Sequence, residues 1–254
     1  MEVGYGQVGI EIIKRFELTY IINNSTPTTS DLDFQRRANR SREEAEDLTE
    51  LQDSIKECVR YIICREGSKI PIKRNEINNH LKNICQTPPN KINTVIVEAN
   101  KILKKIYGYK LVQVEASGIQ YIVVLNDECD SVLSSVVNDR HRKLLVAALM
   151  HIYMSGAPVK EEDMWKFLVE AGLLEENDKA CKDLLKIQFT RQMYLQYSKI
   201  GEGDLARFMF QWGQRAAVEV PKLFLLNKMA EAFEKTPDHW CEQYKEATQE
   251  GNHM

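Results

Sequence analysis

Six cysteines and five histidines supply every soft metal ligand and most of the candidate nucleophiles and bases in this chain. The cysteines stand at Cys58, Cys64, Cys85, Cys129, Cys181 and Cys241, and no two form a Cys-x-x-Cys pair. Zinc sites need four converging ligands, usually in two close-spaced pairs, so the spacing predicts no self-contained metal centre. Gly4-Tyr5-Gly6-Gln7-Val8-Gly9 has the letters of a dinucleotide fingerprint. That fingerprint works only between a strand and a helix, and three preceding residues are too few for the strand. Neither Ser-x-x-Lys, Gly-x-Ser-x-Gly nor a P-loop occurs. Cys181, flanked by Lys182, is the least implausible nucleophile. His151 lies in an apolar run and reads as core or edge, and His141, between Arg140 and Arg142, reads as surface. The expectation is no catalytic residue, no metal and no cofactor.

The remaining chemistry is that of cations. Net charge is −3 over 254 residues, which taken whole argues against a nucleic-acid partner. Residues 48–110, however, hold 12 Lys/Arg against 6 Asp/Glu, while the rest of the chain is mildly acidic. Phosphate binding needs a local basic face, which a whole-chain charge conceals. Lys101, Lys104 and Lys105 are the first candidates, extended by Lys69, Lys73, Arg74, Lys82 and Lys91. Lys179, Lys182, Lys186 and Arg191 form a second series. Base-reading residues are less evident, with Asn93 and Asn100 as candidates, so backbone contact with little sequence preference is expected. A solvated lysine face is the competing reading.

The elements that would carry these residues follow from periodicity. Residues 1–47 read as a poorly ordered lead-in, with a polar breaker run at 25–30. Leu48, Leu51, Ile55, Val59 and Ile62 recur at three- and four-residue steps, a core-facing helix ended by Gly67. A second short helix with Pro71 just inside it carries Ile77 and Leu81, and a third runs through Val95, Ala99 and Ile106 to Gly108. Lys110–Glu115 and Ile119–Leu125 read as a hairpin. Helix, helix, helix, hairpin is a helix-turn-helix core with a β wing. The order repeats: helices over 140–154, 159–171 and 179–191, strands over 194–200 and 207–212, then a closing helix over 222–233. The fold class expected is mainly α with small β wings, two winged helices in tandem over 48–135 and 136–235, with a helical extension or tail over 236–254. The longest apolar stretches fall far short of the roughly 18 residues a membrane-spanning helix requires. No signal peptide is expected, and unpaired cysteines suit a reducing compartment.

Tyr194-Leu195-Gln196-Tyr197, followed by the block from Ala206 to Ala216 with Trp212-Gly213-Gln214-Arg215-Ala216 at its end, resembles the signature of the MAGE (melanoma antigen) homology domain. Val59-Arg60-Tyr61-Ile62-Ile63 stands where that family has Val-Arg-Phe-Leu-Leu, and Ile106-Tyr107-Gly108-Tyr109 where it has a Phe-Gly pair. Trp165 and Gly172 fit the second half. The similarity covers about 48–235. Two departures stand out: an isoleucine pair replaces the leucine pair, and the insert between the second and third helices of the second half is short. The resemblance implies tandem winged helices without enzymatic activity. It further implies an adaptor in a nuclear, chromatin-associated chromosome-maintenance complex of the SMC-five/six type, acting in DNA repair. Its partners would be a RING-type ubiquitin ligase subunit, a kleisin subunit and double-stranded DNA. On that resemblance Ile62 and Ile63 are the RING-partner pair, although the apolar stripe already claims Ile62 for the core. Leu145, Leu149, Trp165, Phe167 and Leu168 are candidates for a kleisin groove, with core packing as the competing reading. A stand-alone winged-helix transcription regulator is the alternative function.

Overall fold

The computed structural model describes residues 49–116, 118–126, 139–156, 158–201 and 206–250, and the described residues from Leu51 onward form one compact unit. The lead-in over 1–47, the Gly4–Gly9 motif, Leu48, Cys129 and the division near residue 135 lie outside the described residues.

The first winged helix opens with α1 (Gln52–Glu66), whose buried face is Ile55, Cys58, Val59 and Ile62. A short strand β1 (Ile72–Lys73) leads into α2 (Arg74–Cys85), which buries Ile77 and Leu81. The chain leaves α2 through Gln86 in the left-handed region, and Thr87 is buried with its hydroxyl 2.9 Å from that of Ser54 on α1. Helix α3 (Ile92–Ile102) buries Ile92, Val95, Ile96 and Ala99, and its last turn widens to π-helical geometry over Leu103–Tyr107. Gly108 closes it at φ +69°, where a residue with a Cβ would be strained. Strands β2 (Tyr109–Ala116) and β3 (Gly118–Leu125) form the wing, with Tyr109 opposite Leu125. The sheet order is β1-β3-β2.

The second winged helix repeats the plan. Helix α4 (Asp139–Ser155) buries Leu144, Leu145, Ala148, Leu149 and Ile152. Strand β4 (Val159–Lys160) leads into α5 (Glu161–Glu170). Helix α6 (Lys179–Asp183) passes through a π turn over Leu184–Gln188 and a last helical stretch at Phe189–Arg191. Strands β5 (Leu195–Ile200) and β6 (Arg207–Trp212) complete a sheet of order β4-β6-β5. Helices α7 (Gln214–Glu219), α8 (Lys222–Ala232) and α9 (Cys241–Glu250) follow. The last of these returns to α4: the Tyr153 hydroxyl donates to Gln243 O at 2.5 Å, and Gln243 Nε2 to Met154 O at 3.2 Å.

The mainly helical class with two small winged sheets is as the sequence predicts. The third strand of each sheet is not. Pro71 precedes β1 instead of sitting inside α2, and residues 159–160 are strand, with α5 beginning at Glu161. Each strand is two residues long, with Ile72 or Val159 turned inward and a lysine turned outward. Two residues are too few for alternation to register as a pattern. They exist because β3 and β6 each have a second edge to satisfy: Ile72 pairs with Tyr121, and Val159 with Phe210. Helix α7, also absent from the sequence reading, begins after Gly213. A Cβ there would overlap Met193 O, so only glycine lets the chain cross at this point.

Candidate nucleic-acid and partner interfaces

Helix α3 presents the basic face. Asn93, Val97 and Lys101 succeed one another at four-residue spacing, and all three are exposed. That spacing sets them on one side of a helix. The π turn then carries Lys104 and Lys105 to solvent, beside Ile106 and Tyr107, which are 68% and 49% exposed. Lys101 is shared with Glu98 at 2.7 Å, an exposed pair of the kind that contributes little. Lys104 and Lys105 have no carboxylate within ion-pair distance among the described residues. Lys73 and Lys82 are exposed nearby, Lys91 is half-buried, and the Arg74 guanidinium donates to Asn93 Oδ1.

Three first-half expectations are corrected. Lys69 is ion-paired with Glu66 and its side chain is only 14% exposed, so it does not join the patch. Asn100 is a brace: its Oδ1 accepts from Leu111 N at 2.9 Å, fixing the start of β2 against α3. Asn93 already serves Arg74.

In the second half the lysine series divides. Lys182 Nζ donates to Glu176 O at 2.6 Å and lies 5.8 Å from the Trp165 ring centre. Lys186 Nζ is 3.0 Å from Glu161 Oε1 and 5.6 Å from the Tyr197 ring centre. Glu161 also accepts from the Tyr197 hydroxyl at 2.6 Å and Trp165 Nε1 at 3.2 Å. Burial alone would raise its carboxyl, but the hydrogen bonds from Tyr197 and Lys186 hold it below the usual range. Lys182 and Lys186 are therefore committed inside their own half, and only Lys179 and Arg191 remain exposed. The opposite side of α6 faces a cleft of about 680 Å³ whose walls include Ser68 and Ile70 of the first half and Arg140, His141, Ile187 and Gln192 of the second.

The partner candidates divide in the same way. Ile62 is fully buried and Ile63 half-buried beside exposed Cys64. Adjacent helical residues diverge by about 100°, so one turns inward and the other outward. Ile62 is corrected to core. Leu145, Leu149 and Leu168 are corrected likewise: each is at most 2% exposed, within the cluster closed by Phe189 and Phe210. Trp165 and Phe167 pack against that cluster, Trp165 edge-on to Phe210 at 5.4 Å and Phe167 stacked on His151 at 4.1 Å. A winged-helix core consumes large apolar residues first, which is why apolar spacing alone could not separate groove from core. Burial depresses His151, as expected for a packed ring rather than a base.

Cys181 is 6% exposed, and burial pushes its thiol up, with Asp178 beside it adding to the effect. Asp178 caps α6 by accepting from Cys181 N at 3.0 Å. Cys58 is pushed up to about 12 by burial. Both environments disfavour a reactive thiolate. Among the described residues no three His, Cys, Asp or Glu side chains are grouped to hold a metal.

Sequence reasoning passed over Arg215. It sits in the quoted motif as one residue of a signature, yet it is 1% exposed and donates to carbonyls in both winged helices. Its neighbours gave no sign of this, since Ala217 and Val218 beside it are exposed.

Paired sheets, paired π turns and a joint formed around one buried arginine define a tandem winged-helix protein. The MAGE homology domain matches residues 58–223, and the chain belongs to that family. It is 29% identical over 211 residues to the human non-structural maintenance of chromosomes element 3 homolog, spanning 78% of this chain and 66% of that protein. The mouse counterpart is 30% identical over 206 residues, spanning 78% and 72%. Human MAGE-like protein 2 is 28% identical over 216 residues, but the match spans only 17% of that longer protein. Among solved structures, a chain of the Nse1-Nse3-Nse4 complex superposes with a TM-score of 0.68 at 25% identity, covering 78% of this chain and 97% of that one.

Proposed function

We propose that this chain is a non-catalytic adaptor subunit of an SMC-five/six-type chromosome-maintenance complex, working in the nucleus in DNA repair. In this reading it joins a RING-type ubiquitin ligase subunit to a kleisin subunit and contacts the DNA backbone. The observation that carries the reading is a MAGE-family fold whose α3 turns Lys101, Lys104 and Lys105 to solvent while its apolar face is spent on the core. Similarity to a chain of the Nse1-Nse3-Nse4 complex supports an adaptor within a multisubunit assembly. Ile63, half-buried on α1, is the residue offered to the RING partner.

DNA contact through these lysines is electrostatic and sequence-tolerant. Charge reversal at Lys101, Lys104 and Lys105 is expected to weaken duplex binding strongly at low salt. It should also shrink the slope of log K against log salt by about 0.9 for each phosphate no longer neutralised. A scrambled duplex should bind as well as any other. A strong preference for one sequence would favour the winged-helix transcription regulator instead. Co-purification of the full chain with its partners, followed by mass spectrometry, tests the adaptor role directly: recovery of neither a RING protein nor a kleisin would overturn it.

A further inference from the structure

The two winged helices meet at one guanidinium. From α7, Arg215 Nε donates to Gln192 O at 2.8 Å, Nη1 to Val123 O at 2.8 Å and to Glu219 Oε1 at 2.9 Å, and Nη2 to Lys69 O at 2.8 Å. Lys69 and Val123 belong to the first winged helix; Gln192 and Glu219 belong to the second. The other Glu219 oxygen accepts from the Tyr194 hydroxyl at 2.5 Å, so the counter-charge is itself held in place. Gln192 Nε2 adds a second crossing bond, to Ser68 O at 3.0 Å.

A buried charge is tolerated only when its donors are satisfied. Here satisfaction requires carbonyls from both halves at once. Any rotation of one half against the other strands N–H groups in a dry joint, so the guanidinium selects one arrangement. An apolar contact accompanies it: Met193 of the second half packs against the Val114, Ile122 and Val124 cluster of the first-half sheet.

The backbone at this joint is strained on both sides. Lys69 has φ +57° and Met193 φ +63°, a region that disfavours residues with a Cβ. Lys69 O accepts from Arg215 Nη2, and Met193 O accepts from Arg215 N at 2.9 Å. Of the two, Lys69 presents its carbonyl to the Arg215 guanidinium, so releasing that side chain frees Lys69, whereas the Met193 carbonyl stays with the Arg215 backbone amide inside the second half. Ser68 and Gln192, joined across the halves, also line the 680 Å³ cleft.

We propose that Arg215 and Glu219 form a releasable latch between the winged helices. The structure shows the latched arrangement; release swings the halves apart and opens the cleft. The inference rests on the joint alone and does not depend on which partners the chain binds.

Hydrogen exchange and small-angle scattering on the full chain test it. Arg215→Gln is expected to keep its helical circular dichroism and enlarge the radius of gyration. Exchange should rise at least tenfold in peptides covering 67–72 and 190–195, with α1 and α5 unchanged. Gln192→Ala leaves the charge paired and removes only the crossing bond, so a smaller rise in the same peptides is expected. Lys69→Gly and Lys69→Asn both tolerate the left-handed region and should slow exchange there. Acceleration spread uniformly over both halves in Arg215→Gln would make Arg215 an ordinary core residue. Unchanged exchange in Gln192→Ala, or faster exchange in both Lys69 variants, would likewise overturn the latch.

Discussion

The two winged helices share a topology, a sheet order and even a π turn at the same place, yet they treat their lysines in opposite ways. In the first half α3 turns Lys101, Lys104 and Lys105 to solvent. In the second, α6 folds Lys182 and Lys186 back onto Glu176 O and Glu161. The difference originates in the preceding helix. Helix α2 begins with Arg74, which reaches toward the start of α3 and takes Asn93. Helix α5 begins with Glu161, Glu162 and Asp163, charges that suit a helix N-terminus and that capture the nearest lysine. The fold therefore supplies two equivalent helices: in one the acidic turn holds Lys186 and a carbonyl holds Lys182, and in the other the lysines stay turned to solvent.

The largest effect expected from that comparison lies at α1. Ile62→Asp removes roughly 2–3 kcal/mol of burial and places a carboxylate in a dry core, so the first half should unfold. Ile63→Asp should leave the melting temperature within a few degrees of the parent while weakening capture of a RING partner. Thermal melts beside pull-downs separate the two. Equal unfolding by both would mean that α1 has no outward apolar face and that the first half offers no partner site there.

A middle-sized effect sharpens the contrast between α3 and α6. If Lys182 and Lys186 are committed to their own half, Lys182→Gln with Lys186→Gln should change duplex affinity less than twofold. The same pair of neutral substitutions at Lys104 and Lys105 should lower it clearly and reduce the salt slope by about 1.8. Equal weakening by the two pairs would show that both recognition helices face DNA.

Much of this was readable from sequence because periodicity reports burial. The α1 stripe, the two wings and the Gly108 stop all follow from spacing and from the one residue type that tolerates the left-handed region. The two-residue strands at Ile72 and Val159 were not readable, because their existence depends on the free edges of β3 and β6. The lysine series looked uniform for a related reason. A lysine's partner is set by tertiary neighbours such as Glu161, 25 residues from Lys186, and not by local spacing. Leu145, Leu149 and Leu168 have the composition of a groove and the position of a core. Arg215 was visible as a motif letter, but a guanidinium that bonds to Lys69 O, 146 residues away, announces itself only in three dimensions.

The smallest effect concerns acid. Glu57 on α1 accepts from Arg60 at 2.7 and 2.8 Å and lies 2.6 Å from His80 Nε2. Hydrogen bonds from Arg60 and then His80 hold its carboxyl down to about 2, from an ordinary 4.5. A carboxylate depressed in the folded state contributes stability that is full above its unfolded value and is lost as pH falls through the folded one. The Glu57 contribution is therefore intact above about pH 4.5 and fades between there and about pH 2. Glu161 and Asp178 are shifted in the same direction, so both halves should weaken on acidification. Glu57→Gln should lower stability at pH 7, where the carboxylate's contribution is full, and flatten the pH dependence between about 4.5 and 2, so that variant and parent converge in acid. Glu161→Gln should do the same in the second half and additionally free Lys186. Denaturant titrations at pH 7, 4 and 3 read the outcome, and DNA binding by Glu161→Gln reads whether the freed lysine gains a phosphate contact. An unchanged pH profile in Glu57→Gln would remove the carboxylate network as a source of α1 stability. Unchanged DNA affinity in Glu161→Gln would mean that the acidic turn is not what separates the two recognition helices.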